Sequence, residues 1–310
     1  MLLDVQQLHT SADRAADVEN GCPACRASKP RELGFKRGYV LSECAKCGTI
    51  FTIVGRHRET VARLYDHYYD YARFTAPLAA TFSLERLVRS CEPFRSTNRW
   101  LDVGFGEGSL LEIAERHGWN CYGTEVSPPA VEHGRERGWI VTSDAEADSR
   151  FPSSGFDVVT MIELIEHVPS PQEFFHAAAR WLRPGGLLYV TTPNAQSLNR
   201  RLLGLEWTIF APPEHVTIWT SGGLSHALKN AGFQIELIRT EGLNPCEILA
   251  RWRMRKGGAA QVDRNSAAFA LNSAFSSSPF RRALKAGINH CLTAFRAGDT
   301  LKVWGVRRNE

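Results

Sequence analysis

Apolar positions along the chain alternate between short, nearly continuous runs and longer runs spaced three and four apart. Trp100-Leu101-Asp102-Val103 is the first strong short run, and Leu110, Leu111, Ile113 and Ala114 keep helical spacing behind it. Gly118 stops that helix and Trp119 to Gly123 reads as a second strand. Ser127-Pro128-Pro129 supplies an N-cap and a proline at the first helical position for a helix ending near Gly138, and Trp139 to Thr142 is a third strand. Gly155 to Ile162 is apolar almost throughout, as a strand buried on both faces requires. Ser170, Pro171 and Glu173 form a capping box for a helix through Phe174, Phe175, Ala178, Trp181 and Leu182, which Arg183-Pro184-Gly185-Gly186 halts. Leu187 to Thr192 is the fifth strand; Ser221 caps a helix through Leu224, Ala227 and Leu228, and Gln234 to Arg239 is the sixth strand. Strand and helix in strict alternation predict an α/β fold on a parallel sheet.

Composition narrows the setting. The 310 residues, 43% hydrophobic, suit one large domain with appendages. No run of 18 apolar residues occurs, and residues 1–20 are polar and acid-bearing, so a flexible leader is expected rather than a membrane span or signal peptide. The eight cysteines include two CxxC pairs, which fits a reducing cytoplasm. From Arg239 to Glu310 there are 13 Lys and Arg against 5 Asp and Glu, within a whole-chain charge of only +4. A basic end beside a mildly acidic body suits an anionic or carrier-linked acceptor or a membrane surface, and equally a solvated basic face.

Two motifs carry chemistry. Between the first strand and its helix lies a turn with Gly104, Phe105, Gly106 and Gly108, and Glu125 stands at the end of the second strand, 17 residues after Gly108, followed by Val126. Glycines let backbone approach a ligand, a helix start offers N–H groups, and an acid about twenty residues on accepts ribose hydroxyls. Glu107 beside the turn would repel a pyrophosphate and suits a cationic ligand. The second motif is Cys22-Pro-Ala-Cys25, 18 residues, then Cys44-Ala-Lys-Cys47. That spacing predicts a four-thiolate structural zinc site, without which so small a ribbon has too little core to fold. Lys29, Arg31, Lys36, Arg37 and Lys46 in the ribbon suit phosphate contact or plain surface charge.

Asp102-Val-Gly-Phe-Gly-Glu-Gly108 resembles motif I of the class I S-adenosylmethionine-dependent methyltransferases, and Phe156-Asp-Val-Val, Glu166-His-Val and Leu182-Arg-Pro-Gly-Gly-Leu-Leu-Tyr-Val-Thr-Thr-Pro-Asn194 are similar to later family segments. The resemblance covers about residues 98–241. It implies a Rossmann-like seven-stranded sheet whose antiparallel last strand is best placed at Asp299 to Val306, and S-adenosyl-L-methionine as cofactor. Asp102, Gly104, Phe105, Gly106, Gly108, Glu125, Val126 and Glu163 are the cofactor candidates, with Asp144 and Ala145 at the adenine and Glu146 as the rival for that place. It also implies helices over the cofactor, with Tyr65, Tyr68 and Tyr69 as contacts or packing residues, and a methyl-acceptor loop at Glu163 to Val168. The organisation expected is a leader (1–20), a zinc ribbon (21–55), a helical cap (56–95), a cofactor-binding core (96–241), a helical substrate-site insertion (242–298) and a final strand (299–310). In the insertion, Phe280, Leu284, Ile288, Cys291, Leu292 and Phe295 share one helical stripe, suited to packing on the body or to a membrane surface.

An acceptor hydroxyl benefits from a general base, and His167, His215 and Glu163 are the candidates, with His226 behind them. By resemblance the acceptor is a sugar, polysaccharide or other small metabolite. An RNA methyltransferase with a zinc ribbon, and a non-catalytic adenosylmethionine-binding protein, are the other readings.

Overall fold

A computed structural model describes residues 21–52, 78–143, 146–255 and 279–308. The main sheet has seven strands in the order β10-β11-β8-β7-β4-β5-β6. In chain order these are β4 (Arg99–Val103), β5 (Asn120–Thr124), β6 (Ile140–Thr142), β7 (Phe156–Ile162), β8 (Leu182–Pro193), β10 (Phe233–Glu241) and β11 (Thr300–Arg307). β6, β5, β4, β7 and β8 run parallel, and β11 lies antiparallel between β8 and β10. This is the Rossmann-like methyltransferase sheet expected, with the last strand where the chain's far end placed it.

Because side chains alternate across a strand, β4 and β7 feed two cores. Trp100 and Val158 join Leu111, Ala114 and Val131 beneath α1 (Leu78–Ser90), α2 (Ser109–Arg116) and α3 (Pro128–Glu136). Leu101, Val103, Val159 and Met161 join Phe175, Trp181 and Leu224 beneath α5 (Pro171–Trp181) and α7 (Ser221–Asn230). A four-residue α4 (Ala147–Arg150) precedes β7. Asp157, wholly buried in β7, accepts from the N–H groups of Ser96, Thr97 and Asn98 at 2.8, 3.0 and 2.7 Å and from Arg183 Nε at 2.6 Å. It thereby fixes the entry into β4 and, with it, the glycine turn at the other end of that strand.

Helix starts differ from their sequence signatures. Neither Ser127 nor Ser170 caps through its side chain, so the capping box at α5 does not form, and at α7 the cap is Thr220, not Ser221, accepting from Gly223 N at 3.0 Å. Proline at the first turn already suits the helix start at Ser127 and Ser170, since it lacks the N–H that a cap would satisfy. The Arg183–Gly186 stop is not a separate turn: β8 begins at Leu182, pairing with Phe156, and Gly185 takes the left-handed φ of 74° where the register shifts.

A second sheet, β1-β2-β3-β9, comprises β1 (Arg31–Lys36), β2 (Tyr39–Glu43), β3 (Ile50–Thr52) and β9 (Thr217–Ile218). Its first three strands belong to the cysteine ribbon and the fourth to the segment after β8, so the ribbon is sewn to the core rather than tethered beside it. In the 242–298 region, α8 (Pro245–Arg255) packs near α6 (Leu198–Leu203), where Asn199 Nδ2 donates to Asn244 O and Thr208 Oγ1 to Glu247. α9 (Pro279–Ala294) lies on β10, with Thr240 Oγ1 donating to Leu292 O. Of the predicted stripe, Leu292 on α9 is buried whereas Leu284 and Ile288 on α9 and Phe295 just beyond its end are 48%, 40% and 74% exposed, so packing accounts for only part of it. Among the described residues no helix is long and apolar enough to cross a membrane.

Candidate active site

β4 ends in Asp102 and Val103 and hands the chain to a turn whose glycines, Gly104, Gly106 and Gly108, have φ of 70°, 54° and 78°. Left-handed backbone suits glycine, and at Gly108 a Cβ would sit 2.4 Å from the Trp139 ring, leaving no room for a side chain. The turn is moored to the end of β5: Gly104 N donates to Thr124 O at 2.8 Å and Gly106 N to Glu125 Oε2 at 3.0 Å. The other Glu125 oxygen accepts from Val126 N at 2.8 Å and Ser127 N at 3.2 Å. Glu125 is 3% exposed and is held rigidly by backbone alone among these contacts. A carboxylate offers about four lone-pair directions, so it can keep this cradle and still accept from a ligand's hydroxyls.

Asp102 is 4% exposed and accepts from Thr160 Oγ1 at 2.6 Å. Burial pushes its pKa up to about 7 and the neighbouring Glu125 charge adds to this, against the Thr160 bond. Glu107 is half-buried and raised by burial as well. Phe105 enters the pocket only as backbone. Its ring is 5% exposed, packed against Gly123 and Gly134 and edge-on to Trp139. The Val126 side chain is exposed beside its N–H contact. Asp144, Ala145 and the tyrosines Tyr65, Tyr68 and Tyr69 lie outside the described residues. The rival Glu146 accepts from Thr142 Oγ1 at 2.9 Å, at the end of β6.

The turn expected to meet the acceptor follows β7. Glu163 takes a left-handed φ of 48° and its Oε1 accepts from Thr191 Oγ1 at 2.9 Å, while Glu166 Oε2 accepts from the next hydroxyl, Thr192 Oγ1, at 2.9 Å. β8 therefore holds two acids on consecutive threonines. The Glu163 side chain is exposed, yet neighbouring protein strips enough water from its carboxyl to raise the pKa. Glu166, 1% exposed, is raised well above the usual carboxylate range by burial and then by Glu163. Sequence reasoning passed over Glu166 as a site residue; its signal was a charge inside the apolar run Ile162 to Val168. Leu164 joins the two halves of the site, because its Cδ1 would lie 3.0 Å from a Cβ on Gly104.

His167 and His215, 48 positions apart in the chain, meet here with ring centroids 4.7 Å apart, edge to face. His167 Nδ1 lies 3.0 Å from Glu214 O and His215 Nδ1 2.7 Å from Ile209 O. A carbonyl only accepts, so both Nδ1 atoms carry hydrogen, and in the neutral ring Nε2 is the basic nitrogen. Burial, then the neighbouring His215, lowers the His167 pKa to about 4. His226 pairs instead with Asn230 along α7.

Behind this corner stand Cys22, Cys25, Cys44 and Cys47, with all four sulfurs within 4.8 Å of one another and none in a disulfide. Sγ of Cys22 and Cys47, and of Cys25 and Cys44, are each 3.6 Å apart. Four sulfurs at about 2.3 Å from a tetrahedral zinc are about 3.8 Å apart, so these two pairs already stand close to that spacing and the cluster suits the ion. The hydrogen bond with Cys22 holds the Cys47 thiol below its ordinary range. The cluster is bonded to the starts of α7 and α5: Thr220 Oγ1 donates to Cys47 O at 2.7 Å and Gln172 Nε2 to Pro23 O at 2.8 Å. In addition, Thr52 N donates to Val216 O at 2.9 Å, next to His215.

Comparison with known proteins agrees with this geometry. The family model for a methyltransferase domain matches residues 65–238, over half of the chain. The ubiquinone biosynthesis O-methyltransferase of Cupriavidus pinatubonensis is 30% identical over 158 residues, 47% of this chain and 64% of that relative. The enzyme of the same name from Ralstonia nicotianae is 30% identical over 188 residues, 58% of this chain and 69% of the relative. The chain thus spans under two thirds of the Cupriavidus relative's length. Among solved structures, geranyl diphosphate C-methyltransferase from Streptomyces coelicolor superposes with a TM-score of 0.50 at 13% identity, covering 83% of this chain and 99% of that one, which shows the fold.

Proposed function

The chain belongs to the methyltransferase-domain family, and from that premise we propose that it is an S-adenosylmethionine-dependent enzyme methylating a hydroxyl of a small molecule. The observation that carries this is Glu125, a buried carboxylate pinned by the N–H groups of Gly106, Val126 and Ser127 at the end of β5, poised to accept the two hydroxyls of a ribose. Asp102 and Glu107 make the surrounding turn acidic, which suits a ligand bearing a sulfonium and an amino group and disfavours a pyrophosphate. When bound, the cofactor supplies an activated methyl group.

The residues of this chain then have three tasks. The glycine turn and Glu125 hold the adenosyl end. Leu164 and the Glu163 turn close over the carboxyl edge of β4 and exclude water. The acceptor hydroxyl is received at the Glu163, His167 and His215 corner, where the Nε2 atoms are the nitrogens left with a lone pair. The cysteine cluster holds a structural zinc whose ribbon, through β3 and β9, positions the loop bearing His215. Four thiols kept for an ion support a reducing compartment such as the cytoplasm.

The relatives' names favour a ubiquinone-pathway compound over the glycan or carrier-linked acceptor suggested by the ribbon and basic C-terminal region. For RNA the support is thinner: Arg31 pairs with Glu43 and Lys36 Nζ donates to Leu205 O, so two of the ribbon's basic side chains are engaged within the fold. The test is transfer of labelled methyl from the cofactor into cell extract separated into quinone precursors and other small molecules, glycan, lipid and RNA. Label in the small-molecule fraction supports the reading; label confined to RNA, or cofactor binding with no transfer to any fraction, overturns it.

A further inference from the structure

We infer that Glu166, His167 and His215 form a second metal site, separate from the cysteine cluster, for a divalent transition ion that binds the acceptor's oxygen. One ligand atom from each of the three side chains lies within 4.8 Å of the others, and His167 Nε2 is 3.7 Å from Glu166 Oε1. Each outer partner is of the kind that orients a metal ligand. Both imidazoles turn Nδ1–H to a backbone carbonyl, Glu214 O and Ile209 O, which fixes Nε2 as the donor nitrogen. Thr192 Oγ1 donates to Glu166 Oε2, Glu166 also shares a hydrogen bond with Glu163, and its Oε1 lies on the His167 side. The two segments are stapled together by backbone, since Val216 N and Thr217 N both donate to Glu166 O, at 2.8 and 3.1 Å.

Two imidazoles and a carboxylate with no thiolate select a borderline ion such as zinc, iron(II) or cobalt(II) over calcium or magnesium. Ligands at about 2.0–2.1 Å from a tetrahedral ion are about 3.3 Å apart, so the corner must tighten by about an ångström on binding. Three protein ligands leave positions open for the acceptor. This inference rests on the proposed reading that the acceptor atom is a hydroxyl oxygen. Coordinated to the ion, that hydroxyl loses its proton to solvent. The oxygen then forms the O–CH3 bond as the S–CH3 bond breaks, and the bonding pair stays on sulfur. Under this assignment the two histidines serve the acceptor by holding the ion rather than by taking the proton themselves.

The test uses the full-length chain with zinc in the ribbon, titrated with cobalt(II) alone. The expected result is one cobalt per chain with visible bands lacking thiolate charge transfer. His167→Gln and His215→Gln should each weaken that binding at least about tenfold, with S-adenosylhomocysteine affinity unchanged. Either variant suffices if the other does not fold, and the wild-type spectrum stands without both. No cobalt uptake, uptake only with thiolate bands, uptake unchanged in the variants, or methyl transfer undiminished after the second ion is removed would each overturn the site. Failure of the wild type to bind S-adenosylhomocysteine would instead sink the methyltransferase reading, which the cobalt titration does not touch.

Discussion

Replacing Glu125 by alanine is the most direct test of the cofactor pocket. Its carboxylate accepts three backbone N–H bonds, from Gly106, Val126 and Ser127, and so shapes the turn before any ligand arrives. In the complex it is expected to accept two ribose hydroxyls as well. Hydrogen bonds to a charged acceptor contribute about 1.5–3 kcal/mol each. Loss of the two ribose bonds alone therefore costs at least about 3 kcal/mol, which is about 150-fold in Kd. Loosening of the turn adds to that, so calorimetric titration with S-adenosylhomocysteine should show a Kd raised about 150- to 1000-fold. Glu125→Gln is expected to lose nearly as much, because either orientation of its amide turns an NH2 toward backbone donors, at Gly106 or at Val126 and Ser127. A thermal melt run alongside separates this from unfolding. A folded Glu125→Ala protein with a Kd within about fivefold of the parent would refute the pocket assignment.

Three further outcomes are expected. Asp102, with a pKa near 7 in the folded protein against an ordinary value of 3.8, should take up a proton below that pH and weaken its hold on a cationic ligand. Cofactor affinity measured by calorimetry should therefore rise with pH up to about 7 and then level off, and Asp102→Asn should flatten the profile. By the same sign, this group's contribution to the stability of the ligand-free protein is lost as pH climbs from about 4 through 7, which thermal melts across that window would register. Asp157→Ala strands three backbone N–H groups and Arg183 in a buried corner, and denaturant melts should show a loss of about 3–5 kcal/mol. Burial alone would raise the Asp157 pKa, yet the bonds from Thr97, Ser96, Arg183 and Asn98 hold it below the ordinary range, so its contribution disappears only as pH falls below about 4. Finally, chelation of the ribbon metal should cut methyl transfer at least about tenfold while changing cofactor Kd less than about threefold, since the ribbon bonds to the acceptor side of the cleft.

What could be read in the sequence was whatever a period or a short spacing encodes. The parallel strands announce themselves as apolar runs because both faces are buried, and Gly104, Gly106, Gly108 and Glu125 fall within one strand-turn-helix-strand unit. The antiparallel place of β11 was reachable only through the family resemblance, since nothing within Thr300–Arg307 says which strands it joins. Helix caps were misread because a serine before a proline looks like a cap whether or not its hydroxyl turns inward, whereas Thr220 does the work at α7. Asp157, Thr191 and Thr192 act through partners 26 to 61 positions away, and no local pattern reports such contacts. Glu163, His167 and His215 were legible one by one as candidates, but not as one corner, because that depends on how the segment after β8 folds back.

Glu166 shows why that fold-back is specific. Its carboxyl is fastened to β8 through Thr192, and its carbonyl receives the N–H groups of Val216 and Thr217, where β9 begins. β9 in turn pairs with β3 of the cysteine ribbon, Ile218 opposite Ile50 and Thr217 opposite Phe51. A single residue thus receives bonds from the central sheet on one side and from the ribbon-held strand on the other, with His167 next to it in the chain and His215 next to Val216. Moving the ribbon moves Val216, and moving Val216 changes the separation of the two imidazoles. If the ribbon were merely a surface appendage, severing the Thr220–Cys47 and Thr52–Val216 bonds would leave that corner unchanged. On the geometry described, Thr220→Val should instead lower kcat for methyl transfer while leaving cofactor Kd in place, because Thr220 both caps α7 and fixes the Cys44–Cys47 knuckle against it.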